Sequence, residues 1–105
     1  MAQFDVFLNT ERRRNQIAFF VSLQNTRYED ELSRFVAPLF PAILLTARPS
    51  WIAPRFIVLG QGVVLDVQNL ATLSIKRLGP PIATLADEAS RTKLVRALDE
   101  FLSQA

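Results

Sequence analysis

Residues Leu70 to Ala105 decide the fold, and they read LATLSIKRLGPPIATLADEASRTKLVRALDEFLSQA. The opening residues alternate between apolar and polar side chains, which predicts a strand over 70–77. A Gly-Pro-Pro break at 79–81 interrupts any further backbone pairing. The remainder predicts a helix over 88–102 that continues almost to the end of the chain. The segment is therefore predicted as strand, corner and terminal helix.

The predicted helix is amphipathic. Its apolar residues recur at spacings of three and four, and they are Leu94, Val95, Leu98, Phe101 and Leu102. Such a stripe has to be buried against another element. Asp87 and Ser90 are both suitable N-caps, and the acidic side chains of Asp87 and Glu88 favour the positive end of the helix dipole. We expect the helix to pack on a sheet formed by the preceding chain.

Short strands are predicted before this segment. They cover residues 3–8, 17–24, 34–40, 55–59 and 63–68. In the first strand Phe4, Val6 and Leu8 share the predicted core face. Pro38 has no N–H to donate, which predicts that the third strand lies at a sheet edge or has a bulge there. Two glycines around Gln61 predict a tight hairpin between the last two of these strands.

These elements predict one domain over residues 1–105, mainly β with one C-terminal α-helix. A chain of this length supports one core, and its hydrophobic fraction of 50% is typical of an ordered globular protein. Six short strands with short connections close most readily as a small barrel or as two packed sheets. The helix then covers an open end or edge.

Composition excludes several classes of site. The chain has no cysteine and no histidine, which excludes disulfides, zinc centres and nucleophile pairs that use histidine. No dinucleotide or phosphate-loop pattern is present, so no cofactor is expected. No apolar run is long enough to cross a bilayer, and the amino terminus has no signal region, so a soluble cytoplasmic protein without membrane association is expected. Catalysis would have to use carboxylates, hydroxyls and arginines. Because such an enzyme is uncommon, a binding function is favoured over an enzymatic one.

The charge balance gives little indication of a nucleic-acid partner. Twelve basic residues, ten of them arginine, face ten acidic residues, for a net charge of +2. The numbers of basic and acidic residues are too nearly equal to indicate direct nucleic-acid binding. The arginine run at 12–14 is interpreted as a solvated loop. Tyr28 is either a recognition anchor or a cover over the core, and Trp51 either covers one end of the barrel or marks a contact surface, with covering favoured.

Across nearly its whole length the sequence resembles the CcdB family of toxins from bacterial toxin–antitoxin modules. Near the amino terminus the resemblance lies in QFDVF at 3–7, FFVSLQ at 19–24 and FVAPL at 35–39. Towards the carboxy terminus it lies in LATLSIKRLG at 70–79, in IATL at 82–85, and in the helix that follows. The order and spacing of these segments carry the resemblance, since none of them is a unique motif.

The resemblance implies a small SH3-like barrel of the CcdB/MazF type, assembled as a homodimer. It also implies inhibition of DNA gyrase, a topoisomerase, through the gyrase A subunit, as in plasmid maintenance. A cognate CcdA-like antitoxin is expected to release gyrase and to act with the toxin as a repressor of the operon. This function is that of an inhibitor rather than an enzyme.

The residues that the resemblance places at the gyrase surface belong to two segments. They are Arg27 and Tyr28 in the loop after the second strand, and Asp99, Leu102, Ser103, Gln104 and Ala105 at the end of the helix. In the family the chain ends with a tryptophan, a glycine and an isoleucine. Serine, glutamine and alanine stand at those positions here, so the aromatic plug is missing. Losing such an anchor typically costs a few kcal/mol of binding energy.

Two other functions stay open. One is a MazF-like endoribonuclease on the same fold, for which the candidate residues are Arg12–Arg14, Arg27, Arg34 and Asp66. The other is a non-toxic CcdB-like protein that retains the dimer and binds an antitoxin or another protein. The changed carboxy-terminal tip favours the second of these alternatives.

Overall fold

A computed structural model describes residues 3–11, 16–23, 33–44, 49 and 51–103. Seven strands lie within these residues: β1 (Asp5–Leu8), β2 (Phe19–Ser22), β3 (Ser33–Pro41), β4 (Arg55–Val58), β5 (Gln61–Leu65), β6 (Ala71–Ser74) and β7 (Ala83–Thr84). The helices are a 3-10 turn (Ala42–Leu44), α1 (Ile75–Leu78) and α2 (Glu88–Ser103). In this part of the chain no helix combines the length and the apolar character of a membrane span.

The strands form one antiparallel sheet that is nearly closed into a barrel. Its order is β4-β5-β3-β2-β1-β7, and β6 pairs with the first half of β3. The two end strands face each other across a groove of about 570 Å³, which Phe56 of β4, Thr84 of β7 and Lys93 of α2 help to line. The predicted class, mainly β with a barrel-like sheet and a C-terminal helix, is confirmed.

The main core lies between the sheet and α2. It contains Phe4, Val6, Phe19, Val21, Leu39, Val63, Leu65 and Leu94, among others. A second cluster, formed by Phe7, Phe20, Val36 and Leu78, fills the opposite face of the sheet. Both faces of β2 are therefore buried. Burying each large apolar side chain contributes about 1.5–3 kcal/mol, so the two clusters account for much of the fold's stability.

Leu8 departs from the predicted core face. It is 48% exposed, whereas Phe4 and Val6 are buried as predicted. The guanidinium of Arg91 in α2 lies 5.5 Å from the centroid of the Phe4 ring. The helix α2 therefore packs against the Phe4 end of β1. Leu8 lies at the other end of the strand, which α2 does not cover.

Pro38 lies in the middle of the sheet, so an edge position for its strand is wrong. β3 pairs with β2 on one side and with β5 and β6 in succession on the other. The carbonyl of Pro38 accepts the N–H of Asp66 (3.0 Å), so its backbone faces the interval between β5 and β6. Pro38 therefore lies opposite the interruption between β5 and β6, where no strand residue requires an N–H from it. This agrees with the other predicted possibility, a bulge at the proline.

The β4–β5 hairpin is confirmed, with its turn one residue earlier than predicted. Leu59 (φ 50°) and Gly60 (φ 79°) form the turn, and Gly62 pairs with Ile57 inside the sheet. Two central residues with positive φ are typical of the tight turn whose twist matches that of paired strands. Glycine adopts this backbone conformation without strain, whereas a leucine rarely does.

The strand predicted over 70–77 ends at Ser74, and a short helix follows it. The Ser74 hydroxyl accepts the N–H of Arg77 (3.3 Å), which begins α1. Gly79 (φ 67°) ends α1, and its N–H bonds to the carbonyl of Ile75 (3.2 Å). This turn places Leu78 in the second cluster, where it is 3% exposed. Burial of Leu78 therefore favours this helical turn over continuation of the predicted strand.

The terminal helix is confirmed to within one residue. Asp87 is its N-cap, because its carboxylate accepts the N–H of Ser90 (3.0 Å) and its carbonyl accepts that of Arg91 (2.9 Å). The buried stripe is narrower than predicted and centres on Leu94 and Ala97. Leu98 and Phe101 are half-buried, while Val95 and Leu102 are exposed. The sheet contacts one side of the helix, and the outer members of the predicted stripe remain in solvent.

Candidate protein-interaction site

The exposed side of α2 presents an apolar and charged stripe near the end of the helix. Val95 (40% exposed), Asp99 and Leu102 (64% exposed) follow one another at spacings of four and three residues. Side chains at these spacings share a helix face. Leu94 and Ala97, on the opposite side, are fully buried. The stripe is therefore presented on a helix that the core holds in place.

The beginning of α2 is fixed by its cap. The backbone N–H of Ser90 donates to the Asp87 carboxylate, and this hydrogen bond, with the Ser90 hydroxyl as a smaller cause, holds the pKa of Asp87 below its ordinary value of 3.8. The Thr92 hydroxyl also donates to the carbonyl of Glu88 (2.9 Å) in the first turn. The carboxylate form of Asp87 thus satisfies a backbone N–H that has no partner inside the helix.

Two cations attach α2 to the sheet. The Lys93 ammonium donates to the carbonyl oxygen of Arg55 on β4 (2.8 Å) and lies 5.1 Å from the centroid of the Phe56 ring. Arg91 lies over Phe4 near the start of β1. Cations over aromatic faces are attracted by the ring quadrupole. The helix is therefore attached at β4, which is one end strand, and near the start of β1, which pairs with the other end strand, β7.

A shallow groove of about 460 Å³ runs along the exposed side of α2. Its lining residues are Arg91, Thr92, Val95, Arg96, Asp99 and Glu100. Val95 is the one apolar side chain of this lining, and two arginines and two acidic residues supply charges of both signs. Among the described residues no group of three acidic side chains is placed to hold a metal ion. Ion pairs and one apolar contact are the interactions that this groove can offer a partner.

The structure describes three of the residues that the family resemblance places at the gyrase surface. Asp99, Leu102 and Ser103 are all exposed on the last turns of α2. The Ser103 hydroxyl donates to the carbonyl of Glu100 (3.1 Å), so it is bonded within its own helix. Arg27, Tyr28, Gln104 and Ala105 lie outside the described residues. That the loop and the helix end form one surface stays a prediction.

The ribonuclease candidates that the structure describes are buried. Arg34 is 3% exposed and Asp66 is 2% exposed. One Asp66 oxygen accepts the N–H of Gln68 (3.0 Å) and the other accepts the amide of Asn69 (2.5 Å), which stabilises the turn after β5. Arg34 donates to the carbonyl of Ser33 (2.9 Å). Neither side chain is exposed to an RNA phosphate in this structure. Arg12–Arg14 lie outside the described residues.

Trp51 is 40% exposed, which fits both of its predicted interpretations, a cover over one end of the barrel and a contact surface. Its neighbour Ile52 packs against the main core, and Ala53 is buried. The N–H groups of Ile52 (3.2 Å) and Ala53 (2.9 Å) both bond to the carbonyl of Pro49, which forms a tight turn. The choice between the two interpretations of Trp51 stays a prediction.

Sequence reasoning missed the surroundings of Trp51. The indole borders a cleft of about 380 Å³ together with Pro54, Arg55, Lys93 and Arg96. The two α2 residues are some forty positions away along the chain, and no local pattern associates them with a tryptophan. A search for basic residues spaced along one helix face could have found Lys93 and Arg96, but not their aromatic neighbour.

Comparison with known proteins identifies one family. A family model described as CcdB protein matches residues 3–103 of the 105-residue chain. None of the curated proteins matches the chain. The match spans every strand and helix described above, including the exposed face of α2.

Proposed function

Because this chain belongs to the CcdB family, we propose that it is a toxin of a toxin–antitoxin module that binds and inhibits DNA gyrase through the gyrase A subunit. It acts by occupying a surface of gyrase rather than by turning over a substrate. The observation that carries the proposal is the exposed stripe of Val95, Asp99 and Leu102 on the end of α2. That position corresponds to the helix end through which the family is expected to reach gyrase.

The chemistry of the stripe supports binding to a protein. An exposed leucine at a helix end gains about 1–2 kcal/mol when a partner buries it. Asp99 offers a carboxylate that an arginine of the partner can bind in bidentate fashion. Arg27 and Tyr28 are proposed to extend this surface from the loop after β2. Gln104 and Ala105 complete it at the tip, beyond Ser103.

We also propose that the protein is a homodimer neutralised by a CcdA-like antitoxin. Large apolar side chains outside α2 support the presence of further protein partners. Ile43, Ile57 and Leu59 are between 70% and 82% exposed, and each of them would gain free energy on burial. Light scattering of the purified protein tests the dimer: twice the chain mass of 11.8 kDa supports it, and a single chain mass contradicts it.

Gyrase supercoiling and cleavage-complex assays test the main proposal. We expect the purified protein to block supercoiling and to cause linear DNA to accumulate. Leu102→Ala is expected to weaken inhibition by about tenfold. Leu8→Ala is the matched control, since Leu8 is an exposed leucine on β1 that belongs to no proposed partner surface, and it is expected to leave inhibition within about twofold.

A second candidate function is favoured by the carboxy-terminal tip. Ser103 supplies no aromatic side chain, and its hydroxyl is already bonded to Glu100. A CcdB-like protein that binds an antitoxin but does not poison gyrase fits this tip. The same assay separates the two candidates: unchanged supercoiling at protein concentrations well above micromolar excludes the gyrase poison, while antitoxin binding still supports the non-toxic relative.

A further inference from the structure

The cleft beside Trp51 is lined by one aromatic residue, one proline and three cations. Pro54, which is buried, and Trp51, which is 40% exposed, both line it. Arg55, Lys93 and Arg96 complete the lining, which includes no acidic side chain. Three cations and one indole therefore surround a cavity of about 380 Å³, which is large enough to admit a few side chains.

One of the three cations, Lys93, is held in place by contacts with β4. Lys93 is fixed on the Arg55 carbonyl and over the Phe56 ring. The other cation seen over an aromatic ring in the described chain is Arg91, which lies over Phe4. Trp51 lines the cleft together with the three cations. Because Lys93 is held in place before a ligand binds, less entropy is lost on binding.

The charge pattern along α2 limits the extent of the ligand. Asp87 and Glu88 precede the basic positions, and Asp99 and Glu100 follow them. The interval from Glu88 to Asp99 rises about 16 Å along the helix axis. A nucleic-acid strand carries a phosphate at every step and continues in both directions, so it meets carboxylates at both ends of this interval. A peptide places negative charge only where its own sequence requires it.

We propose that the Trp51 cleft is a binding site for a short acidic peptide segment. Carboxylates of the segment pair with Arg96, Arg55 and Lys93, and an apolar side chain of the segment rests on the Trp51 indole. Guanidinium groups suit carboxylates because their N–H groups match the two oxygens. The site is separate from Leu102 at the end of α2, and the inference does not depend on gyrase binding.

Fluorescence tests the proposal directly, because Trp51 is the only tryptophan of the chain. The probe is a capped heptapeptide of sequence EELEELE, titrated into the full-length protein at low ionic strength. We expect a saturable change in Trp51 emission. The affinity is expected to fall as salt screens the charges. A heptapeptide with glutamine in place of glutamate is expected to give no saturable change.

Two arginine variants on α2 locate the site. Arg96→Gln removes a cation that lines the cleft and is expected to weaken peptide binding by about tenfold. Arg91→Gln removes the same charge from the same helix at a position outside the cleft, and it is expected to change the affinity by less than about twofold. Circular dichroism of both variants verifies that the helix is retained.

Several outcomes overturn the proposal. One is a titration without saturation up to millimolar peptide. Another is equal weakening by Arg96→Gln and Arg91→Gln, since this indicates a general attraction between opposite charges. Tighter binding of a twelve-residue deoxythymidine oligonucleotide than of the peptide assigns the cleft to single-stranded nucleic acid instead. None of these results bears on the gyrase assay, so failure of this inference is distinguishable from failure of the proposed function.

Discussion

The Lys93 ammonium donates to the backbone carbonyl of Arg55 at 2.8 Å, across the open side of the barrel. Arg55 belongs to β4, which pairs with β5 on one side and ends the sheet on the other. An end strand presents backbone groups without a ladder partner, and these attract other chains. The lysine occupies one such group and ties the middle of α2 to the edge of the sheet. The same contact fixes a cation of the Trp51 cleft.

Removing this contact is expected to cost stability. Lys93→Met keeps the aliphatic part of the side chain but loses the hydrogen bond and the cation over Phe56. We expect the free energy of unfolding to fall by about 0.5–1.5 kcal/mol in urea denaturation. Lys76→Met, at an exposed position on α1, is the control and is expected to change it by less than about 0.5 kcal/mol. Equal effects of the two variants contradict a role for the Arg55 contact.

Two leucines on α2 are expected to differ sharply when each is truncated. Leu94 is fully buried in the main core, whereas Leu102 is 64% exposed. Leu94→Ala leaves a cavity and is expected to destabilise the protein by about 2–5 kcal/mol. Leu102→Ala is expected to cost less than about 0.5 kcal/mol. Thermal unfolding of both variants measures the difference, and similar losses of stability would show that the helix packs in another orientation.

The cap of α2 predicts a pH dependence of stability. The pKa of Asp87 is lowered in the folded protein by the hydrogen bond from Ser90. Its contribution to stability is therefore fully present above the ordinary value of 3.8 and is lost as the pH falls through the lower folded-state pKa. Asp87→Asn can still cap the helix but does not titrate.

Thermal unfolding between about pH 2 and pH 6 measures this effect. The parent protein is expected to lose more stability on acidification than Asp87→Asn does. Asp87→Ala is expected to unfold at a lower temperature throughout this range, because the Ser90 N–H loses its partner. Identical pH profiles for the parent protein and Asp87→Asn would contradict the assigned cap.

An aromatic side chain at the helix end is expected to strengthen gyrase inhibition. Ser103 is exposed on the last turn of α2, and the resemblance places a tryptophan at this position in the family. We expect Ser103→Trp to lower the concentration needed for inhibition by about tenfold or more, since a buried tryptophan is a frequent binding hot spot. Supercoiling assays measure the effect, and Ser103→Ala is the control. No gain from Ser103→Trp would show that the helix end does not enter the gyrase interface.

Local signals in the sequence were sufficient for most of the strands and for the terminal helix, but not for α1 or β7. Alternation in the strands, the glycine turn at 60 and the apolar spacing of α2 each act over a few residues. The cap at Asp87 is similarly local, although sequence alone left Ser90 as an equal alternative. Such features depend on backbone sterics and on side chains near in sequence, which is why they were recognised. The resemblance to CcdB also came from the sequence, and it identified the helix end as the candidate site.

Contacts between distant segments were decided by the tertiary structure alone. Pro38 is tolerated in a central strand because the partner strand is interrupted beside it, which no property of residues 34–40 reveals. Leu78 stabilises a helical turn where the alternating pattern predicted a strand, because burial in the second cluster outweighs local preference. Trp51 shares a cleft with Lys93 and Arg96 only because α2 packs across the barrel. The sequence determined most of the elements by itself. Long-range packing decided the short helix α1 and which side chains meet, since those free energies depend on residues far apart in the chain.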